Sequence, residues 1–117
     1  MINLRHLTGA LRYSLAGLRR AWKEQAFKHE VLLLPIIFLL LAFIRPGAGW
    51  TAALIAAWLL VMALELLNSA IEEAFNLISP DYNPHVKYGK DMASAAIFMG
   101  LLVNGVLWLC MLWSVVL

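Results

Sequence analysis

The chain has 117 residues, 63% of them hydrophobic and 14% charged, with a formal net charge of +2 and a mean hydropathy of +0.81. That is too apolar for a soluble domain of this size to cover its surface, so a bilayer is the expected solvent. At ~20 apolar residues per helical crossing, the length admits three crossings and one short extra element, and it excludes a separate soluble domain.

In chain order, Leu4, Leu7, Leu11, Leu15, Leu18 and Trp22 recur at steps of three and four, which predicts a helix with one apolar stripe. Arg5, Arg12 and Arg19 stand seven apart on another face, joined by Arg20 and Lys23. Residues 1–24 are therefore expected to form a basic amphipathic helix in the headgroup region, with its cations near anionic lipid. A plain surface anchor is the simplest role for it. No cleavable signal peptide is expected, because the first apolar run follows only after this basic segment.

That run, VLLLPIIFLLLAFI from Val31 to Ile44, spans only about 21 Å as a helix, short of a ~30 Å hydrocarbon core. The first crossing is accordingly placed at 26–45, drawing Lys28, His29 and Glu30 to the membrane edge. Pro35 lies inside it and predicts a kink. RPGAG, residues 45–49, reads as a tight turn, and Trp50 after it as an interfacial anchor. The second crossing is placed at 50–71. NLISPDYNPHVKYGK, broken by Pro80 and Pro84, reads as a polar loop, so 72–90 is expected to be a helix end followed by a loop. Met92 to Leu117 carries no charge at all, and the third crossing is placed at 91–117, with Trp108 and Trp113 suited to the opposite interface. Cys110 is the sole cysteine, so no intrachain disulfide can form. The expected fold is an all-α membrane protein: three transmembrane helices plus an N-terminal amphipathic surface helix.

Lysine and arginine counting sets the expected orientation. Arg5, Arg12, Arg19, Arg20, Lys23 and Lys28 precede the first crossing, Lys87 and Lys90 follow the second, and only Arg45 lies between the first two. The N-terminal helix and the 72–90 segment should both be cytoplasmic, on the side where ATP is found.

Chemistry concentrates where hydrocarbon ends. The apolar run WTAALIAAWLLVMAL passes directly into ELLNSAIEEAF, and at 100° per residue Glu65, Asn68 and Glu72 share one helical face that Asn76 continues. Ionisable groups at a membrane boundary are costly and by default mark a functional site, although a solvated helix end is the bland reading and the one preferred for Glu73. A second cluster is KDMASAA, with Lys90 and Ser94 one turn apart and Asp91 near a helix start, where a carboxylate could simply complement the helix dipole. Asn104, deeper in the same helix, reads as interhelical hydrogen-bonding glue. A third cluster is Glu24 and Glu30, flanking QAFKH. Paired carboxylates suit magnesium, which takes one or two with the rest of its shell from phosphates and water. Phosphoryl transfer also needs a cation for the phosphates and a base for the attacking hydroxyl. No Walker A loop, Gly-rich nucleotide fingerprint or protein-kinase catalytic loop is present. His6, His29 and His85 lack metal-site spacing and read as polar interface residues.

ELLNSAIEEAF followed by KDMASAA strongly resembles the signature of the small integral-membrane prokaryotic diacylglycerol kinases, whose relatives in other bacteria phosphorylate undecaprenol. YSLAGLRRAWKEQAF resembles the family's N-terminal segment, and the spacing of Trp108, Cys110 and Trp113 its last helix. The resemblance implies a homotrimer with sites shared between subunits, in the bacterial inner membrane, acting on a membrane lipid and ATP with Mg2+ and with no nucleic-acid partner. It implies that Glu65 is the base taking the proton of the lipid hydroxyl and that Glu24 and Glu72 hold the magnesium of MgATP. Tyr13, Asn68, Asp81, Tyr82, Asn83, Lys90 and Asp91, with the two metal carboxylates, would form the nucleotide side. Ser14, Glu30, Ser94 and Trp108, with Glu65, would lie near the lipid. Between Trp22 and Glu24 the chain is one residue shorter than familiar members, so Glu24 takes its role by anchoring on Ala26 and Phe27. The expected activity is transfer of the ATP γ-phosphate to diacylglycerol, giving phosphatidic acid. Undecaprenol is the alternative acceptor; a small multidrug-type transporter subunit and a purely structural subunit are the rivals from other classes.

Overall fold

The computed structural model describes residues 3–117, and all regular structure among them is helical. The order is α1 (Leu4–Ala21), α2 (Gln25–Ile44), α3 (Ala48–Ile78) and α4 (Pro84–Val116). Of these α2, α3 and α4 are long and apolar enough to cross a membrane.

Helix α1 begins at an Asn3 cap whose Oδ1 accepts the backbone N–H of Arg5 at 3.0 Å, and it ends with Arg19 and Arg20 in the last turn, where cations complement the helix dipole. Its stripe of Leu4, Leu7, Leu11, Leu15 and Leu18 is exposed, with no more than partial cover from the other described residues. A one-turn link follows, with the Glu24 N–H donating to the Ala21 carbonyl at 2.8 Å, and α2 starts immediately. The Lys28 ammonium stands 5.4 Å from the Trp22 ring centroid across that link, within cation–π range.

The 20 residues of α2 run about 30 Å, and Pro35 interrupts none of the helix. Helix α2 stops at Arg45, which takes a left-handed conformation (φ 54°) and donates its N–H to Leu41 at 2.9 Å, closing the end as an αL cap. Pro46 cannot continue the helix, and Gly47, at φ +105°, supplies the second reversal that launches α3.

Helix α3 has 31 residues and α4 has 33, or about 46 and 50 Å, well beyond a ~30 Å hydrocarbon core. Because α3 starts level with the end of α2, the excess length lies at its Ile78 end. There α3 and α4 form a helical hairpin, with more length than a single crossing requires. The polar loop expected over 76–90 is correspondingly much shorter. Helix α3 continues to Ile78, and α4 begins at Pro84, leaving 79–83 as the turn. The two prolines act differently. Pro80 falls just past the end of α3, whereas Pro84 occupies the first turn of α4, where a missing N–H costs nothing, and Asn83 caps it by accepting the His85 N–H at 2.9 Å.

The core joins α2, α3 and α4 through Ile37, Leu41, Leu54, Trp58, Val61 and Met111. Helix α4 lies against α3 closely enough that a Cβ on Gly100 would stand 2.9 Å from Leu64 Cδ1 and 3.3 Å from Val61 Cγ2. The Asn104 amide donates to the Ala57 carbonyl across this contact at 3.1 Å and to Gly100 at 2.9 Å. Asn104 is thus the interhelical glue expected of it. Trp58 Nε1 donates to the Glu30 carbonyl at 2.9 Å, tying α3 to the first turns of α2.

Candidate active site

The row on α3 begins inside the apolar span and ends outside it. Glu65 and Asn68 are each 9% exposed, while Glu72 and Asn76 are open. Asn68 Nδ2 donates to Glu72 Oε1 at 3.4 Å, at the long limit for a hydrogen bond, and Asn68 Oδ1 is buried without a partner. The other two carboxylates come from the start of α2, which the Trp58 indole holds to α3. Glu24 sits at the α2 N-cap with no side-chain cap bond. Glu30 is 9% exposed, with Oε1 unpartnered. Glu24 and Glu72 both lie within electrostatic range of Glu65, and Glu65 within range of Glu30. Glu65 is thus the carboxylate through which Glu24 and Glu30, at the start of α2, and Glu72, on its own helix, are electrostatically linked. No three of them, or of any histidine, cysteine or aspartate among the described residues, stand close enough to hold a metal by themselves.

One turn beyond Glu72 the row meets a second feature, a cavity of about 390 Å³ beneath the hairpin turn. Its walls carry Asn76, Asp81, Tyr82, Asn83, Lys90 and Asp91, so the end of the α3 row converges there with five of the residues expected on the nucleotide side. Lys90 Nζ donates to Asn76 Oδ1 at 2.8 Å, fastening α4 to the end of the α3 row. Lys87 pairs with Asp91 at 2.7 Å on the same wall. Asp91 is not a helix cap. Helix α4 starts at Pro84, so Asp91 lies two turns inside and Asn83 does the capping.

A third feature is a largely apolar groove of about 480 Å³ between α1 and α3, bounded by Ser14, Leu18, Ala21, Glu24, Leu66 and Ala70. At its edge Arg20 and Glu73 approach to 3.7 Å, both well exposed, which gives Glu73 a partner rather than only solvent. The Ser14 hydroxyl donates to the Ala10 carbonyl at 2.9 Å.

Three expected site residues stay apart from this assembly within the chain. Tyr13 is 79% exposed on α1. Ser94 is exposed on α4. Trp108 packs against the apolar core with Leu107 and Trp50, some 21 Å along α4 from Ser94. Conversely, the structure supplies partners that residue types alone left open. The Lys87–Asp91 pair had a legible signal in its i,i+4 spacing. The Asn76–Lys90 and Arg20–Glu73 contacts had none, since each depends on how two helices pack.

Comparison with known proteins bears on the family of the whole chain. The family model for prokaryotic diacylglycerol kinase matches residues 12–112. A diacylglycerol kinase of Haemophilus influenzae is 40% identical over 106 residues, covering 90% of this chain and 90% of that protein. One from Pseudomonas aeruginosa is 39% identical, covering 90% of this chain and 86% of its own length, and one from Escherichia coli K12 is 36% identical, covering 87% and 84%. These matches run through the carboxylate cluster, the hairpin cavity and most of the three long helices. The chain belongs to the prokaryotic diacylglycerol kinase family.

Proposed function

We propose that the chain is a lipid kinase that transfers the γ-phosphate of ATP to the primary hydroxyl of diacylglycerol, giving phosphatidic acid. The observation that carries this reading is the position of Glu65. It is a buried carboxylate at the last apolar turns of a spanning helix, on the same row as the residues that lead into the hairpin cavity. A diacylglycerol hydroxyl sits at the boundary between acyl chains and headgroups, so the group that deprotonates it belongs at that depth. A nucleotide is excluded from hydrocarbon, and its side of the site belongs at the hairpin end of α3 and α4.

The division of labour follows from these positions. Glu65 accepts the proton as the lipid oxygen attacks the γ-phosphorus; the bond to the β–γ bridging oxygen breaks, and ADP departs. Lys90, whose partner in the chain is a neutral amide, meets phosphate charge. Asp81, Tyr82 and Asn83 line the cavity that would take the rest of the nucleotide. Asn68, with an unpartnered buried oxygen between Glu65 and Glu72, orients the junction of the two halves. Glu24 and Glu72, each within electrostatic range of Glu65, are the carboxylates that would hold a magnesium ion, with phosphates and water supplying the rest of its shell. When bound, magnesium would neutralise phosphate charge as the transfer proceeds. Glu30 and the α1–α3 groove bearing Ser14 form the lipid side.

Helix α1 would lie on the cytoplasmic face of the bacterial inner membrane, its exposed leucine stripe in lipid and its arginines toward headgroups. The spread of Tyr13, Ser94 and Trp108 away from the cluster within one chain fits a homotrimer in which neighbouring subunits complete each site. The test is purified protein in mixed micelles with MgATP, offered diacylglycerol and undecaprenol in competition, with phosphate incorporation measured. Preferential labelling of diacylglycerol is expected. Preferential labelling of undecaprenol would reassign the acceptor, and no labelling of either would return the chain to a transport or scaffold role.

A further inference from the structure

The hairpin cavity holds a charge arrangement that the kinase reading does not by itself require. Two lysines, Lys87 and Lys90, and one carboxylate, Asp91, stand within about one turn of each other on α4 and line the same wall. Lys90 and Asp91 are sequence neighbours, and an aspartate beside a phosphate-binding lysine would ordinarily compete for its charge. In the structure it does not. Asp91 Oδ2 takes its hydrogen bond from Lys87 Nζ at 2.7 Å, while Lys90 Nζ is turned to the neutral Asn76 Oδ1 at 2.8 Å. The carboxylate is thus neutralised by Lys87, which has no other partner among the described residues, and the charge of Lys90 meets only a neutral amide.

Helix stability does not account for this pairing. In α4, which starts at Pro84, Lys87 falls at the end of the first turn, where the helix dipole disfavours a cation. The order of the pair, cation before anion, is also the weaker of the two i,i+4 orientations. A pair placed for the helix alone would be reversed.

We propose that Lys87 is a positioning residue for the nucleotide: by holding the Asp91 carboxylate it keeps Lys90 free to meet the phosphates. The inference rests on the reading of this cavity as the nucleotide side. Without Lys87 the wall would carry Asp81 and Asp91 against Lys90 alone, a net negative face toward a polyanion.

The experiment compares wild type, Lys87→Met, Lys87→Arg and Lys90→Met in micelles, measuring KM for MgATP, kcat, and MgADP binding by calorimetry at low and high salt. Lys87 is exposed, so its variants should fold normally. Lys87→Met is expected to raise KM and the MgADP dissociation constant about two- to fivefold, the scale of an exposed ion pair, with kcat nearly unchanged. The difference should shrink as salt screens the pair. Lys87→Arg should restore wild-type binding, since it restores the partner of Asp91. Unchanged binding in Lys87→Met, with binding lost in Lys90→Met, would overturn this role and leave the nucleotide site standing. Unchanged binding in both would overturn the site itself, and this inference with it.

Discussion

Replacing Glu65 with Gln separates a catalytic carboxylate from a structural one. Glutamine matches glutamate in size, and the side chain is only 9% exposed, so the packing around it is retained. What changes is one negative charge in a neighbourhood that also holds Glu72 and Glu24. Removing it relieves repulsion, so thermal stability in detergent is expected to stay level or rise. Losing a positioned base costs roughly 10²- to 10⁴-fold in rate, or about 3 to 5.5 kcal/mol in the barrier at ~1.4 kcal/mol per tenfold. The two readouts therefore move in opposite directions. The assay is transfer of labelled phosphate from ATP to diacylglycerol in mixed micelles, run beside a thermal unfolding scan. The KM for MgATP should change little, because Glu65 faces the lipid half of the reaction. A Glu65→Gln protein with an unaltered melting curve and turnover within about threefold of wild type would refute the base assignment, since even a modest general base contributes far more.

Two further outcomes test the metal and the packing. Chelating divalent cations should abolish phosphate transfer and adding magnesium should restore it, while Glu72→Gln should raise the magnesium concentration needed; a Glu72→Gln enzyme with an unchanged magnesium requirement would remove Glu72 from the metal. Gly100→Leu should lower stability by about 1–3 kcal/mol, because its Cβ would already stand 2.9 Å from Leu64 and the larger side chain must push α4 away from α3. Gly100→Ala should be milder, as the Leu64 methyl can swing aside, and equal melting temperatures for the two variants would show that the helices are not in close contact there.

The sequence by itself determined that the chain is helical, with three helices long and apolar enough to cross a membrane, because an unbroken apolar run in lipid satisfies its backbone within the segment only as a helix. It also determined the order of chemistry along α3, since the 3.6-residue period places Glu65, Asn68 and Glu72 on one face however the helix is packed. The extent of the hairpin turn was less legible. Pro80 and Pro84 look alike as helix breakers, and only the cap at Asn83 and the onset of α4 showed that one ends a helix while the other starts one. The partnerships were decided by tertiary structure alone. Asn76 meets Lys90, Arg20 meets Glu73 and Trp58 meets the Glu30 carbonyl through the packing of helices far apart in sequence. Periodicity fixes which way a side chain leaves its own helix. It says nothing of which other helix, at what height, comes to stand opposite; that is set by small residues such as Gly100 and by the lengths of the turns, and it is what brings Glu24 and Glu30 within electrostatic range of Glu65.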